Sequence, residues 1–203
     1  MASTIQVDNI KDIGGNTIIS SNGSGTFTSN LPASAPNVST ATGTLPIANG
    51  GTGATTLAAA GLANTPAFSA KLSGDQSTAS GAETVLAFAT EQWDTDSKYN
   101  TSTYRFTPTI AGKYVINGII MLNDITIQNK RLQLLVYKNA TFFADVETIA
   151  SSETSTDPTL SINLVMEFNT TDYVELRFYH NVGSAVTVRS GYSFFQGYKL
   201  IGA

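Results

Sequence analysis

Leu160, Ile162, Leu164, Met166 and Phe168 stand at every second position, with Ser161, Asn163 and Glu167 between them. Side chains alternate faces along a strand and not along a helix, so this stretch sorts its apolar and polar groups only when extended. Val174, Leu176 and Phe178, set against Tyr173, Glu175 and Arg177, repeat the pattern. Similar runs bounded by turn residues predict strands over 68–73, 84–88, 104–108, 113–122, 131–138, 141–146 and 192–201. No comparable helical period occurs, so residues 67–203 read as an all-β sandwich or jelly roll large enough for its own core.

Two runs are apolar on both faces. Val115, Ile119 and Met121 oppose Tyr114, Ile116, Ile120 and Leu122, while Phe194, Tyr198 and Leu200 oppose Phe195 and Ile201. A strand in a monomeric sandwich has one wet face, so a doubly apolar strand implies that its second face is covered too. Contact between subunits is the economical cover.

The chain before this head has a different character. The only charged side chains ahead of Ala67 are Asp8, Lys11 and Asp12. Residues 1–31 hold short β-prone pieces, TIQV and NTIIS, around the turn-forming GGN at 14–16. Their apolar residues, Ile5, Val7, Ile10, Ile13, Ile18, Ile19 and Phe27, are too few to close a core, so a partner must cover them. Residues 32–66 are built almost wholly of Pro, Ala, Ser, Thr, Gly and Asn, too little apolar area to offset the entropy of ordering alone. Thr55 or Thr56 caps a short helix through 57–60 that Gly61 ends. Two readings stand for this stretch: a flexible linker, or a stalk of chains side by side, where Gly and Ala allow close approach. Fully extended, residues 1–66 span at most about 200 Å.

Composition excludes several functions. A net charge of -4 without a basic block removes the electrostatic footprint of nucleic-acid binding. With no cysteine there are neither disulfides nor thiolate metal sites. No stretch approaches the roughly 20 apolar residues of a membrane helix, and the N-terminus lacks the pattern of a secretory signal, so synthesis in the cytosol without such export is expected. His180 is the sole histidine and no G-x-S-x-G elbow accompanies it; it reads as a strand-end or interface imidazole. GGTG at 50–53 lacks the Lys and the strand of a phosphate loop. Asp94, Asp96 and Asn100 have calcium-loop spacing but no following Gly or terminal Glu, which favours a solvated acidic loop over a calcium site. Glu147, Glu153 and Asp157 form no defined carboxylate pair for glycan cleavage. The expectation is a non-enzyme without metal or cofactor.

Four pieces of the head resemble the jelly-roll family of complement C1q and tumour necrosis factor. YRFTPTIAGKYVING (104–118) is similar to its F-x-P-x-x-x-G-x-Y core, and LLVYKNATFF (134–143) to its K-N-G hairpin with Ala140 in place of Gly. FNTTDYVELRFYH (168–180) is similar to its G-D-x-V strand start with Thr171 in place of Gly, and YSFFQGYKLIG (192–202) to its terminal strand. The resemblance implies a ten-stranded jelly roll, a compact homotrimer, and both head termini at one end, the base. Counting strands back from the last one then sends loops 89–102, 123–129, 147–157 and 181–190 to the far tip, where recognition loops commonly lie. Trp93, Asp94, Asp96, Tyr99, Asn123, Asp124, Glu153 and Asp157 are the receptor-contact candidates there. For Trp93 and Tyr99, packing at a loop base or between subunits is the competing role.

LPIANGGTGATT (45–56) with the Ala-rich stretch after it resembles a segment recurrent in bacteriophage tail fibres. STIQVDNIKDIGGNTIISSNGSG (3–25) resembles the start of phage fibre proteins, particularly those of marine podoviruses. Together these imply a virion fibre. Residues 1–31 attach to another virion protein through Ile5, Val7, Ile10, Ile13, Ile18 and Ile19, residues 32–66 form a trimeric stalk, and residues 67–203 form a head for a host-surface glycan or protein. The alternative is a structural head, neck or tail adaptor fibre with no receptor.

Overall fold

The computed structural model describes residues 9–21, 27–29, 51, 53, 54, 56, 59–123, 125, 129–150 and 157–201. The chain divides into two units, Met1–Gly51 and Thr52–Ala203. Among the described residues there is no α-helix.

The first unit is a three-stranded antiparallel sheet of β1 (Asn9–Lys11), β2 (Thr17–Ser21) and β3 (Phe27–Ser29), in which Ile10 faces Ile19 across β1 and β2. Its first hairpin closes over the expected GGN turn. The Asp12 carboxylate accepts the Asn16 backbone N–H at 2.8 Å and the Asn16 side-chain amide at 2.9 Å, and Gly15 takes φ +82°. These Asn16 bonds hold the Asp12 carboxyl below its ordinary range. The strand that pairs across the turn is Asn9–Lys11; TIQV lies outside the described residues. Ile10 is half exposed, Ile13 at the hairpin tip is fully exposed, and Ile18 and Ile19 are half-buried. Ile5 and Val7 lie outside the described residues.

In the second unit the expected helix is not formed among the described residues; Thr56 closes a turn instead. Ala59 N–H donates to Thr56 Oγ1 at 3.1 Å, Ala60 N–H donates to the Thr56 carbonyl at 3.0 Å, and Gly61 leaves it at φ +71°. Among the described residues thirteen strands follow: β4 (Ala67–Lys71), β5 (Gln76–Thr78), β6 (Thr84–Val85), β7 (Thr90–Asp94), β8 (Tyr99–Asn100), β9 (Arg105–Phe106), β10 (Gly112–Met121), β11 (Lys130–Lys138), β12 (Thr141–Ala150), β13 (Thr159–Phe168), β14 (Val174–His180), β15 (Val186–Val188) and β16 (Phe194–Lys199). They build a five-stranded sheet, β13-β10-β16-β4-β7, and a six-stranded sheet, β12-β11-β14-β9-β8 with β6 beside β14. β15 and β5 make a separate two-stranded sheet.

The inner faces meet in an aromatic core. Phe68 stacks on Tyr99 at 4.8 Å and on Phe106 at 4.4 Å, and meets Phe195 edge-on at 4.9 Å. Such arrangements add to the apolar area these rings remove from water. Burial pushes the Tyr99 phenol up, and its hydroxyl stays satisfied by donating to the Phe88 carbonyl at 2.8 Å. Tyr114, also raised by burial, to about 12, donates to the Ile110 carbonyl at 2.7 Å. Gly118 and Gly197 let the sheets close: a Cβ on Gly118 would stand 2.6 Å from Leu176 Cδ1, and one on Gly197 2.9 Å from both Ile116 and Phe68.

At one end of the sandwich two turns brace each other. Asp172 accepts the Asn169 N–H at 2.8 Å, the Lys138 ammonium at 2.9 Å and the Asn139 amide at 2.7 Å, which holds its carboxyl at about 2. Asn139 and Ala140 form the hairpin turn at φ +53° and +60°. Ala140 therefore occupies a left-handed conformation where the resembling family has Gly.

Candidate functional site

The second apolar side of β10 and β16 faces outward on the five-stranded sheet, as the alternation requires. Register sets three rows across it: Val165–Val115–Tyr198–Ala67, then Asn163–Asn117–Gln196–Ser69–Trp93, then Ser161–Ile119–Phe194–Lys71–Thr90. Lys71 is the only charged residue in the three rows. Val165 is 58% exposed, Trp93 48% and Tyr198 37%, so the face carries large apolar groups open to water. Interface centres are depleted in charge and enriched in aromatic residues, and this face has both properties.

The middle row differs from its neighbours. Asn163, Asn117 and Gln196 lie side by side on adjacent strands, and Gln196 Nε2 donates to Ser69 Oγ at 2.9 Å. Between this row and the Ser161–Ile119–Phe194 row runs a groove of about 280 Å³.

A second apolar patch lies along β12, which among the described residues pairs with β11 alone and presents an open backbone edge. Phe142, Phe143 and Ile149 are each about half exposed or more there. The acids of the strand are already engaged: Asp145 accepts from Gln133 Nε2 at 2.6 Å and Glu147 from Arg131 Nη2 at 2.6 Å.

The outer side of the six-stranded sheet is a closed polar network. Glu175, 1% exposed, accepts Arg105 Nε at 2.7 Å and Arg177 Nη2 at 2.6 Å. Arg105 covers the Tyr173 ring at 4.1 Å and Arg177 the Tyr137 ring at 3.9 Å. Tyr137 donates to Glu83, and that bond raises its phenol. Every group has a partner, so the network reads as a brace rather than a receptor for a ligand. Motif searching misses both it and the amide row, because each is assembled by register from strands far apart in sequence.

The structure relocates part of the expected tip. Phe68 pairs with Asp94, Thr95 N–H donates to the Ala67 carbonyl at 3.0 Å, and Lys199 N–H donates to the Pro66 carbonyl at 3.3 Å. The 94–99 turn thus shares the base with both ends of the head. Asp94 accepts the backbone N–H groups of Asp96 and Tyr99 at 3.2 and 2.7 Å, and Asp96 accepts from Thr95 Oγ1 at 2.9 Å. These carboxylates cap their own turn, and no cluster of metal-ligating side chains occurs among the described residues. Tyr99 is core. Trp93 is on β7 in the middle row of the outer face, not on a tip loop.

Asn123 and Asp157 do lie at the opposite end. Asn123 N–H donates to the Thr187 carbonyl at 2.9 Å, and Asp157 accepts Arg189 Nη1 at 2.8 Å while that guanidinium covers the Tyr192 ring at 4.4 Å. Asp124 and Glu153 lie outside the described residues. His180, also at this end, is fully buried and stacked on Phe178. Its Nε2 reaches Thr78 Oγ1 at 3.2 Å and the Thr78 carbonyl at 3.3 Å, and Thr78 Oγ1 itself donates to Val186 O, so Nε2 carries the proton. Burial lowers its pKa. It is a satisfied core imidazole.

Two sheets closed over one core, with the first and last strands of the head paired beside each other, define a jelly-roll domain. Residues 67–200 match the C1q domain family, and the chain belongs to that family. Its domains typically form homotrimers, and its members are structural or ligand-binding proteins. Among solved structures, the globular domain of zebrafish complement 1qA protein is 16% identical over 67% of this chain and 98% of its own, with a TM-score of 0.49. Eiger TNF from S. frugiperda is 13% identical over 68% and 93%, with a TM-score of 0.50. Murine APRIL, crystallised at pH 5.0, is 10% identical over 66% and 98%, with a TM-score of 0.51. The last two share the fold of the head. No curated protein sequence matches the chain.

Proposed function

We propose that this chain is a bacteriophage fibre protein: a virion-attachment segment at the N-terminus, a Gly/Thr/Ala-rich stalk, and a homotrimeric head that binds a host-surface glycan or protein. The observation that carries the trimeric head is the set of three central rows on the outer face of the five-stranded sheet, which hold one charged residue, Lys71, together with a different apolar patch on the β12 edge. Two unlike patches make a head-to-tail contact, which closes as a ring when the rotation fits. The fibre context is supported by LPIANGGTGATT at 45–56, a low-charge segment suited to parallel chains near a three-fold axis. Three heads joined in this way turn weak individual contacts into tight attachment.

Receptor contact then falls to the end opposite the termini, where Asn123, Asp157, Arg189 and Tyr192 are placed. The second reading is a structural adaptor without a receptor. It gains from the base position of the 94–99 turn, which removes two aromatic candidates from the tip. The two readings separate in a reconstruction of the assembled particle. Distal loops open to solvent, together with inhibition of adsorption by purified head, support an adhesin; distal loops buried against a neighbouring virion protein sink it.

A further inference from the structure

We propose that the amide row Asn163–Asn117–Gln196 sets the register between copies of the head by hydrogen-bonding to the open backbone edge of β12 in a neighbouring copy. This rests on the trimeric reading above and goes beyond it, since apolar rows alone hold copies together without fixing their alignment.

The row lies between Val165, Val115 and Tyr198 on one side and Ile119 and Phe194 on the other, where covering the face buries it. Asn163 is exposed and Asn117 half-buried on this face, so both side-chain amides are open to water in the single head. Water serves them in the free head. An amide that loses water without gaining a partner is costly, so a covering surface must supply donors and acceptors. β12 has them: as an edge strand it displays backbone N–H and C=O groups that β11 leaves free. The same edge carries Phe142 and Phe143, side chains of the size and character to enter the groove beside Ile119 and Phe194. Asp145 and Glu147, the acids of that strand, are held by Gln133 and Arg131, so no unpaired carboxylate from β12 opposes the contact.

Slippage of the neighbour along the face would keep most apolar contact while stranding the amides. A polar group in an otherwise apolar contact selects one alignment in this way, at some cost in stability. Ring closure needs such selection, because a small error in rotation gives an open filament instead of a trimer.

The test uses the full chain. Mass by light scattering and hydrogen exchange along β12 are compared for the wild type, the double variant Asn117→Leu/Asn163→Leu, and Asn117→Asp. The wild type is expected to be a single trimer with β12 amides protected. The leucine variant is expected to stay associated but spread over several sizes, with β12 exchange at least about tenfold faster, the loss of roughly one hydrogen bond. Asn117→Asp places a charge in the row and is expected to dissociate at neutral pH and reassociate near pH 4. A leucine variant that remains one trimeric species with unchanged β12 exchange overturns the register role, as does an aspartate variant that stays trimeric at neutral pH. A wild type that is monomeric at every concentration overturns the trimeric reading itself.

Discussion

Replacing Ala140 with glycine should make the protein more stable. Ala140 follows Asn139 in the two-residue connection between Lys138 and Thr141, with both central residues at positive φ. That is the geometry of the hairpin turn for which Asn-Gly is the favoured pair. An L-residue in the left-handed region costs about 1–2 kcal/mol. Glycine removes this cost but enlarges the entropy of the unfolded chain, which takes back roughly 0.5–1 kcal/mol. The net gain is about 0.5–1 kcal/mol, and for a chain of this size that raises the melting temperature by about 1–4 °C. Urea denaturation at fixed protein concentration measures it, since association also moves the midpoint. Ala144→Gly, in the interior of β12, is the control and should lose stability. A midpoint for Ala140→Gly at or below wild type would refute the reasoning and mean that the hairpin does not hold Ala140 in the left-handed conformation.

Three further outcomes are expected. Gly118→Ala drives a Cβ to within 2.6 Å of Leu176 Cδ1 in a packed core, and overpacking of this kind should cost about 1–3 kcal/mol in urea denaturation. Glu175→Gln leaves Arg105 and Arg177 without their shared carboxylate; because both arginines keep some contact with water, the loss should be about 2 kcal/mol, below that of a fully buried pair. Stability should fall in two stages on acidification, read as urea midpoints against pH. His180 has a lowered folded pKa, so its contribution is complete above about 6.5, the unfolded value, and declines as the unfolded chain takes up the proton below it. Asp172, held at about 2, contributes fully above about 4 and loses this as pH falls through about 2. His180→Phe should remove the upper stage, and Asp172→Asn should shrink the lower, to which Asp12 and Asp75 also contribute.

The long strands were legible because each carries its own alternation: β10, β11, β13 and β14 fall within a few residues of the runs that predict them. β5, β7 and β8 carry no such signal, and in β15 it spans only Val186, Thr187 and Val188. Gln76–Thr78 and Thr90–Asp94 are short and largely polar, and they are strands because distant partners supply their hydrogen bonds. Missing β7 and β8 also misplaced Trp93 and the turn after it, since every strand reverses the end of the sandwich at which the chain stands. Tyr99 was ambiguous for a related reason: its ring contacts Phe68 and Phe195, and its cross-strand partner Phe106, come from other strands.

By itself the sequence determined that the head is a β-sandwich, that β10 and β16 are apolar on both sides, and that the chain ahead of it is nearly uncharged. These are properties of residues next to one another, set by side-chain period and solvation. Tertiary structure alone decided that Asn163, Asn117 and Gln196 share a row, that Glu175 joins Arg105 to Arg177, and that the 94–99 turn lies at the base. Those are matters of register between strands, and register depends on how whole faces bury together.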